Sequence, residues 1–345
     1  MRMGLRLSLL DQSPIGEGGT PEEAFRHTLE LARRAEALGY HRFWVSEHHD
    51  SKELAGSSPE VLISYLLAKT DRIRIGSGGV MLQHYSPYKV AENFGVLASL
   101  APGRVDLGIG RAPGGLPQST KALQSGAAGG QVPLDAKLEA LQAYLLGHTE
   151  PGDELHGVRA VPVAEKPAEL FLLGAGTDSA ALAGRLGIPY VYAEFISGDP
   201  EGAAASFAAY REQLGARTDL RPLLASSVIV ADTDEEAAKL AAEAKVIKVL
   251  LESGRKVTVK TLESAEDFGR QSGENFEIDI RQAQIIHGSP ATVRDKLLET
   301  SQRYGIEEII ITAYNRTFDQ RLRTIELLQA ALAEQAGDLT ETLTL

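Results

Sequence analysis

Short apolar runs alternate with longer amphipathic stretches along the chain. Eight of these runs are bounded by turn residues, which is the pattern of buried β-strands. They span Leu5–Leu10, Arg42–Ser46, Ile73–Leu82, Val105–Ile109, Leu170–Leu173, Tyr190–Ala193, Leu223–Val230 and Glu308–Thr312. Strands that alternate with helices favour parallel βαβ units. Eight such units predict an α/β protein with the (β/α)8 or TIM-barrel fold.

The helices between the strands have recognisable start signals. In the segment TPEE (20–23) a capping threonine is followed by proline and glutamate, which predicts a helix start with a capping box. Gly39 is placed to end this helix. Ser-Pro pairs open further helical patterns at 58–59, 86–87 and 289–290.

The chain is longer than a plain barrel requires. A (β/α)8 barrel needs about 250 residues, so a chain of 345 residues must carry insertions. Three segments have a suitable composition: 114–133, rich in Gly, Ser and Gln; 150–168, rich in Pro and Gly; and 253–284, polar and charged. No linker divides the chain, so residues 1–345 are predicted to form a single barrel domain.

Composition excludes several classes of function. The net charge of −12 disfavours binding to nucleic acid or to an anionic membrane, because both need clustered Lys and Arg. The absence of cysteine excludes disulfides and thiolate catalysis. The first apolar run meets Asp11 too soon for a signal peptide, and no apolar run approaches the length of a membrane span. We therefore expect a cytoplasmic protein.

Ionisable groups are concentrated at the end of the second strand. The segment VSEHHD (45–50) contains Glu47, His48, His49 and Asp50, and the C-terminal strand ends of a barrel carry its functional side chains. A compatible second histidine is missing, so no metal is predicted. Strand alternation turns one histidine toward the barrel mouth, where a neutral imidazole suits general acid–base work near pH 7. A structural histidine bonded to a carboxylate is the alternative.

The fifth strand runs into a glycine-rich turn, LLGAGTDS (172–179). Gly174 and Gly176 let a ligand approach the backbone, and the helix start that follows offers free N–H groups. The hydroxyls of Thr177 and Ser179 add donors, which favours a phosphate site over a tight turn capped by Thr177. The spacing also partly matches a dinucleotide fingerprint, but that motif belongs to the first turn of its domain.

Two other segments indicate contact with a ligand. Arg111 follows the fourth strand, where its guanidinium either holds a phosphate through paired donors or lies on the surface. In the third strand, IGSGGVML (75–82), three glycines predict either a bulge in the barrel wall or the close approach of a flat ring.

Several segments together resemble one protein family. They are FWVSEHH, RIRIGSGGVML, SPYKVAENFGVLASLAPGRVDLGIGRAPGG, LLGAGTDSAALAGRLGIPYVYA and GSPATVRDKLLETSQRYGIEEIIIT. In this combination the chain resembles the bacterial luciferase-like flavin monooxygenases, and within them the MsnO8-type branch. The resemblance implies a (β/α)8 barrel with insertions, usually a homodimer, that binds FMN over its C-terminal mouth.

The resemblance also assigns roles to individual residues. It implies that His48 is the active-site histidine, with Glu47 beside it, and that Arg111 binds the flavin phosphate. It places the phosphate loop at Gly174, Gly176, Thr177 and Ser179. It further implies a non-proline cis peptide bond under the flavin ring, at Ser77–Gly78.

Two segments on the substrate side depart from the pattern of this branch. They are LQHYSP (82–87) and AEFI (193–196), and they leave the phosphate elements intact. The leading hypothesis is a monooxygenase that receives reduced FMN from a separate flavin reductase and uses O2 on a small organic substrate. His48 would assist proton transfer, with Glu47 or Asp50 orienting it. The alternatives are an F420-dependent oxidoreductase and a flavin-binding protein without turnover.

Overall fold

The computed structural model describes residues 5–125, 132–147, 156–197, 200–217, 219–315 and 317–342. Within these residues, eight parallel strands close into a barrel. They are β1 (Arg6–Asp11), β2 (Arg42–Val45), β3 (Arg74–Val80), β4 (Val105–Ile109), β5 (Glu169–Gly174), β6 (Tyr190–Ala193), β7 (Leu223–Val230) and β12 (Glu308–Ala313). Each predicted strand is present, with ends that differ by at most two residues.

The barrel closes through consecutive parallel pairings. Strands β1 to β7 follow one another around the ring, and β12 lies between β7 and β1. The predicted (β/α)8 barrel is therefore confirmed. In a ring of eight strands, β1 and β5 lie on opposite sides of the mouth, which matters for the placement of ligands.

Helices surround the barrel and connect its strands. They are α1 (Pro21–Leu38), α2 (Pro59–Leu67), α3 (Pro87–Leu100), α4 (Pro117–Leu123), α5 (Leu134–Leu146), α6 (Thr177–Leu186), α7 (Glu194–Ser197), α8 (Pro200–Leu214), α9 (Asp234–Ala242), α10 (Leu262–Ser272), α11 (Pro290–Tyr304) and α12 (Phe318–Thr342). No helix among the described residues is long and apolar enough to cross a membrane.

The helix starts and the helix end predicted from the sequence are present in the structure. The hydroxyl of Thr20 accepts from the backbone N–H of Glu23, whose side chain accepts from the N–H of Thr20, so the capping box is complete. Gly39 ends α1 with φ 85°, a left-handed conformation that glycine adopts without a steric cost. The proline of each Ser-Pro pair is the first residue of α2, α3 or α11.

The largest insertion forms a small antiparallel sheet. Its strands are β8 (Lys245–Leu251), β9 (Lys256–Val259) and β10 (Phe276–Gln282), in the order β10-β8-β9, and α10 packs on them. The insertion therefore begins before the predicted range 253–284. A hydrogen bond of 3.0 Å from the N–H of Ala283 to the carbonyl of Ala244 joins its two ends. The chain then returns through β11 (Ile286–Gly288), which pairs with β7 outside the ring.

The other two predicted insertions are only partly described. The segment 114–133 contains α4, while residues 126–131 within it lie outside the described residues. In the segment 150–168, the described part begins at 156, contains no helix or strand and includes a cis bond between Val161 and Pro162.

The barrel interior is filled below the mouth. At the N-terminal strand ends, Arg42 donates to Glu308 at 2.8 Å, to Glu169 at 2.9 Å and to Asp106 at 3.0 Å. Burial disfavours the charge of Arg42, but the three carboxylates more than offset this and raise its pKa. Above this cluster, Trp44 and Phe171 pack edge to face. The interior is therefore a packed core, and open space is confined to the C-terminal mouth.

Candidate functional site

The strands β3 and β4 pack tightly against their neighbours at the mouth, at positions occupied by glycine. The register of their pairing shifts between Gly78 and Val80, which is a bulge. A Cβ on Gly79 would lie 2.7 Å from the backbone nitrogen of Gly110, and a Cβ on Gly78 would lie 2.7 Å from Leu10 Cδ1. Neither position can hold a side chain without displacing its neighbours. The bulge that the glycines predicted is thus present.

The non-proline cis peptide bond lies one residue further along than the resemblance implied. It joins Gly78 to Gly79, not Ser77 to Gly78. Ser77 is fully buried, and its hydroxyl exchanges hydrogen bonds with the backbone of Gly108 at 2.9 and 3.0 Å. Ser77 therefore fixes the bulge against β4.

The turn after β5 leaves a helix start without a protein cap. Gly176 is the N-cap residue of α6, and it has no side chain that could cap the helix. A Cβ on Gly176 would meet nothing within 4 Å, so space is open above this backbone. Thr177 is exposed beside it. Thr177 is thus the first helical residue and not the cap, and the free N–H groups form an anion-binding position.

Arg111 is held at the same position. Its guanidinium donates to Ser179 Oγ at 2.8 Å, which links the loop after β4 to the first turn of α6. Ser179 is buried and Arg111 is exposed, so the other donors of the guanidinium face solvent. Gly174 makes this arrangement possible, because a Cβ there would lie 2.5 Å from Ser179 Cβ. The structure therefore brings Arg111, Gly174, Gly176, Thr177 and Ser179 together.

His48 faces a cavity on the other side of the mouth. The cavity has a volume of about 440 Å³ and lies between the loop 50–57 and α10. The imidazole Nδ1 shares a hydrogen bond of 3.1 Å with Ser46 Oγ. Burial, and then the positive charge of Lys260, lower the pKa of His48 to about 3. The imidazole is therefore neutral at physiological pH and can donate or accept one hydrogen bond.

Glu47 is hydrogen-bonded to His49 and not to His48. Its fully buried carboxylate accepts from His49 Nε2 at 2.7 Å, from the Tyr85 hydroxyl at 2.8 Å and from the Met81 N–H at 3.0 Å. Glu47 therefore does not orient the His48 ring, as had been expected, because its carboxylate is bonded to His49. Asp50 is exposed at φ 52°. Ser46 is the residue that orients the His48 ring.

The carboxylate of Asp11, at the end of β1, also has hydrogen-bond partners within the protein. Asp11 is buried and accepts from Thr28 Oγ1 at 2.6 Å, from the Ser13 N–H at 3.2 Å and from Arg321. Among the described residues, no group of three or more His, Asp or Glu side chains is placed to hold a metal ion.

A second cavity contains a residue that the sequence did not reveal. It has a volume of about 430 Å³, lies above the ends of β1 and β12, and is lined by Gln12, Lys260, Thr312, Tyr314 and Asn315 among others. Lys260 reaches it from the end of β9 in the insertion. Its position just before a capping threonine was visible in the sequence, but the direction of its side chain depends on how the insertion packs.

The fold and the mouth together define a (β/α)8-barrel protein with an uncapped helix start after β5. The family model described as luciferase-like monooxygenase matches residues 5–308. The chain belongs to this luciferase-like monooxygenase family. Named relatives of the chain include monooxygenases.

Individual relatives cover nearly the whole chain. An N-acetyl-S-alkylcysteine monooxygenase from Bacillus subtilis is 43% identical over 330 residues, which are 95% of this chain and 99% of the relative. The crystal structure of apo-MsnO8 is 35% identical, with a TM-score of 0.76 over 96% of this chain and 99% of that one. At the level of fold alone, a type II Baeyer–Villiger monooxygenase from Pseudomonas putida in complex with FMN is 18% identical, with a TM-score of 0.66 over 95% of this chain and 97% of that one.

Proposed function

We propose that the protein is an FMN-dependent monooxygenase that uses reduced FMN and O2 on a small organic substrate. The observation that carries this proposal is the anion-binding position formed by the uncapped start of α6 and by Arg111. A phosphate bound there would receive backbone N–H groups, the favourable end of the helix dipole and a guanidinium.

The residues around the mouth fit the remainder of a flavin. The strand β3 has no side chains at Gly78 and Gly79, and Leu10, Trp44 and the backbone of β4 fill the space that such side chains would take. This packing holds the bulge at the mouth, where the flat ring would lie. Ser77 keeps this backbone in place through Gly108. When bound, reduced FMN would supply the electrons that activate O2.

His48 is the residue proposed to move a proton. Its imidazole is neutral at assay pH, so it can accept a proton from a substrate and return that proton later in the reaction. Ser46 fixes the orientation of the ring. Glu47 acts through other residues, since it holds His49 and the backbone of Met81 next to the bulge. We therefore assign Glu47 a positioning role.

The described residues form one barrel and its insertion, and this barrel would use FMN in its reduced form. We propose a separate flavin reductase as its source. Because the Bacillus relative is an N-acetyl-S-alkylcysteine monooxygenase, N-acetylated S-alkylcysteines are the first substrates to test.

Titration of the protein with FMN, riboflavin and F420, followed by absorbance and fluorescence, tests the cofactor. We expect FMN to bind more tightly than riboflavin, and Arg111→Ala to weaken FMN by about 10- to 100-fold while riboflavin changes little. Lys166→Ala, on the loop before β5, is a control that should change neither. Equal loss of FMN and riboflavin would contradict the phosphate role of Arg111, and preferential binding of F420 would identify the alternative oxidoreductase.

A turnover assay separates the monooxygenase from a flavin carrier. With FMN, a flavin reductase, NADH and N-acetyl-S-methylcysteine, we expect oxygen consumption that is coupled to loss of the thioether. The same assay with His48→Gln should show lower coupling at unchanged FMN affinity. Tight FMN binding without oxidation of any thioether supplied would favour a flavin-binding protein.

A further inference from the structure

Lys260 is brought to the barrel mouth by the inserted sheet. It directly follows β9 and precedes Thr261, the N-cap residue of α10. Its Nζ donates to Gln12 Oε1 at 2.6 Å, and Gln12 directly follows β1. The insertion thus delivers an ammonium group to the β1 side of the mouth.

The charge of Lys260 has no close counterion among the described residues. The neutral amide of Gln12 is its hydrogen-bond partner, and no described carboxylate lies within 4.0 Å of Nζ. The nearby carboxylate of Asp11 is already bonded to Arg321, and Glu53 acts on Lys260 only from a longer range. The surrounding protein, and then Arg321, lower the pKa of Lys260 while Glu53 opposes them. The Lys260 side chain is exposed in the cavity, so its ammonium is open to an anionic ligand group.

Lys260 shares its cavity with other charged groups. The cavity, of about 430 Å³, is also lined by the polar side chains of Asn315 and Thr312 and by the charged side chains of Asp11, Glu53, Glu243 and Arg321. Asp11 is bonded to Arg321, which leaves Lys260 as the cation available to a ligand. Thr312 Oγ1 is buried and has no hydrogen-bond partner within the described part of the chain. A cation beside hydrogen-bonding side chains can receive a ligand with one acidic group and further polar atoms.

Lys260 and the proposed phosphate site lie on opposite sides of the mouth. Arg111 and the start of α6 follow β4 and β5, whereas Gln12 follows β1, on the opposite side of the ring. A flavin anchored by its phosphate at β5 would extend toward the middle of the mouth. Lys260 therefore lies where a second molecule would approach the flavin ring.

The chemistry at Lys260 favours a carboxylate over a phosphate. The start of α10 beside it is already capped, because Thr261 Oγ1 accepts from the Ser264 N–H at 3.1 Å. A phosphate normally receives several backbone N–H groups or a guanidinium, as the position at Gly176 would provide. One ammonium next to one amide matches the two oxygens of a carboxylate.

We infer that Lys260 binds the carboxylate of the substrate, and that the enzyme acts on small carboxylic acids. This inference rests on the proposed function, since it names the substrate class of the same mouth. Lys260 is a specificity-determining residue in it and has no part in the chemical step.

Calorimetric titration with a matched pair of probes tests the inference. The probes are N-acetyl-S-methylcysteine and its neutral primary amide, titrated into the full-length protein with and without FMN. We expect the acid to bind about 10- to 100-fold more tightly than the amide, because a charged hydrogen bond is lost in the amide. Lys260→Gln should bind both probes alike, and Lys260→Arg should retain most of the preference.

The control variant is Lys256→Gln, on the same strand β9 and exposed. It should keep the preference for the acid, and all three variants should keep the FMN affinity of the wild-type protein. Fluorescence of Trp44, the single tryptophan of the chain, confirms that the variants are folded.

Several results would overturn the inference. They are failure of the acid to bind, equal affinity of acid and amide for the wild-type protein, and a preference that survives in Lys260→Gln. A parallel loss of FMN affinity in Lys260→Gln would instead assign the lysine to the cofactor. If the preference is present but FMN does not bind, the carboxylate site stands and the proposed function fails; if FMN binds and the preference is absent, only the inference fails.

Discussion

The guanidinium of Arg111 donates to Ser179 Oγ at 2.8 Å and so ties the loop after β4 to the first turn of α6. The two residues are 68 positions apart in the chain and belong to neighbouring βα units. A hydroxyl that holds an exposed arginine above an uncapped helix start fixes the direction of the remaining guanidinium donors. The proposed phosphate site therefore depends on Ser179 as well as on Arg111.

Replacement of Ser179 with alanine should weaken FMN binding without removing it. The substitution deletes one neutral partner of Arg111, and we expect a loss of about 2- to 10-fold in FMN affinity. Riboflavin lacks the phosphate and should be unaffected, as fluorescence titration of both ligands would measure. Ser197→Ala, in α7 after β6, serves as the control. An equal loss for both ligands would mean that Ser179 supports the turn and not the phosphate.

The low pKa of His48 has a consequence for stability in acid. In the unfolded chain a histidine has its ordinary pKa of about 6.5, whereas in the folded protein the pKa of His48 is about 3. Between these values the unfolded state binds a proton that the folded state does not. The free energy of unfolding should therefore fall as the pH decreases from 6.5 toward 3.

Urea denaturation at a series of pH values checks this expectation. His48→Gln cannot titrate, so its stability should decline less steeply between pH 6.5 and pH 4 than that of the wild-type protein. His27→Gln, on α1, is the matched control. Parallel pH profiles for wild type and His48→Gln would show that the histidine has an ordinary pKa. Because His48 is neutral, its titration should cause no inflection near pH 6.5 in the pH profile of turnover. His48→Gln should therefore leave the shape of the profile near pH 6.5 unchanged.

Glu47 should be more important for folding than for the chemical step. Its buried carboxylate satisfies three donors, and Glu47→Gln places an amide group among them. We expect a loss of about 1–3 kcal/mol in the free energy of unfolding. Tyr85→Phe removes one of the three hydrogen bonds and should cost about 0.5–1.5 kcal/mol. A Glu47→Gln protein of wild-type stability that has lost turnover would return Glu47 to a catalytic role.

The expected homodimer has a candidate surface on α2 and α3. These adjacent helices expose Val61 and Tyr65, and Val96 and Leu100, each pair spaced one turn apart. Val61 and Leu100 are about 70% exposed, which is unfavourable for an isolated chain with neighbouring apolar side chains. We propose that a second copy of the chain covers this surface.

Light scattering on size-exclusion chromatography tests the surface. Val61→Asp and Leu100→Asp, singly and together, should convert a dimer to a monomer of about half the mass. Ile280→Asp, an exposed apolar position on the inserted sheet, should leave the mass unchanged. A wild-type monomer, or a dimer that survives the double substitution, would contradict the proposed surface.

The sequence predicted the barrel because its signals are local. Apolar runs, capping boxes and Ser-Pro helix starts are each contained in a few residues, and all eight strands followed from them. The phosphate turn was also local, since glycines and hydroxyls lie within 174–179. The position of the cis bond came from the family resemblance, and it was wrong by one residue.

The functional side chains were harder to predict because their partners are distant. Glu47 and His48 are adjacent, but Glu47 meets Tyr85 and Met81, some 34 to 38 residues later. Lys260 meets Gln12 across 248 residues, through a sheet whose strands were read only as a polar segment. A local sequence pattern does not predict the direction of such a side chain.

The inserted sheet leaves and rejoins the barrel at one place, where Ala244 and Ala283 are hydrogen-bonded. A segment whose ends already touch can be lengthened, shortened or exchanged without moving a barrel strand. The half of the mouth that is proposed to bind the flavin phosphate is built by β4, β5 and α6, none of which belongs to this segment. Substrate preference and cofactor retention can therefore diverge separately in evolution, and grafting this sheet between related barrels offers a direct way to redirect the enzyme.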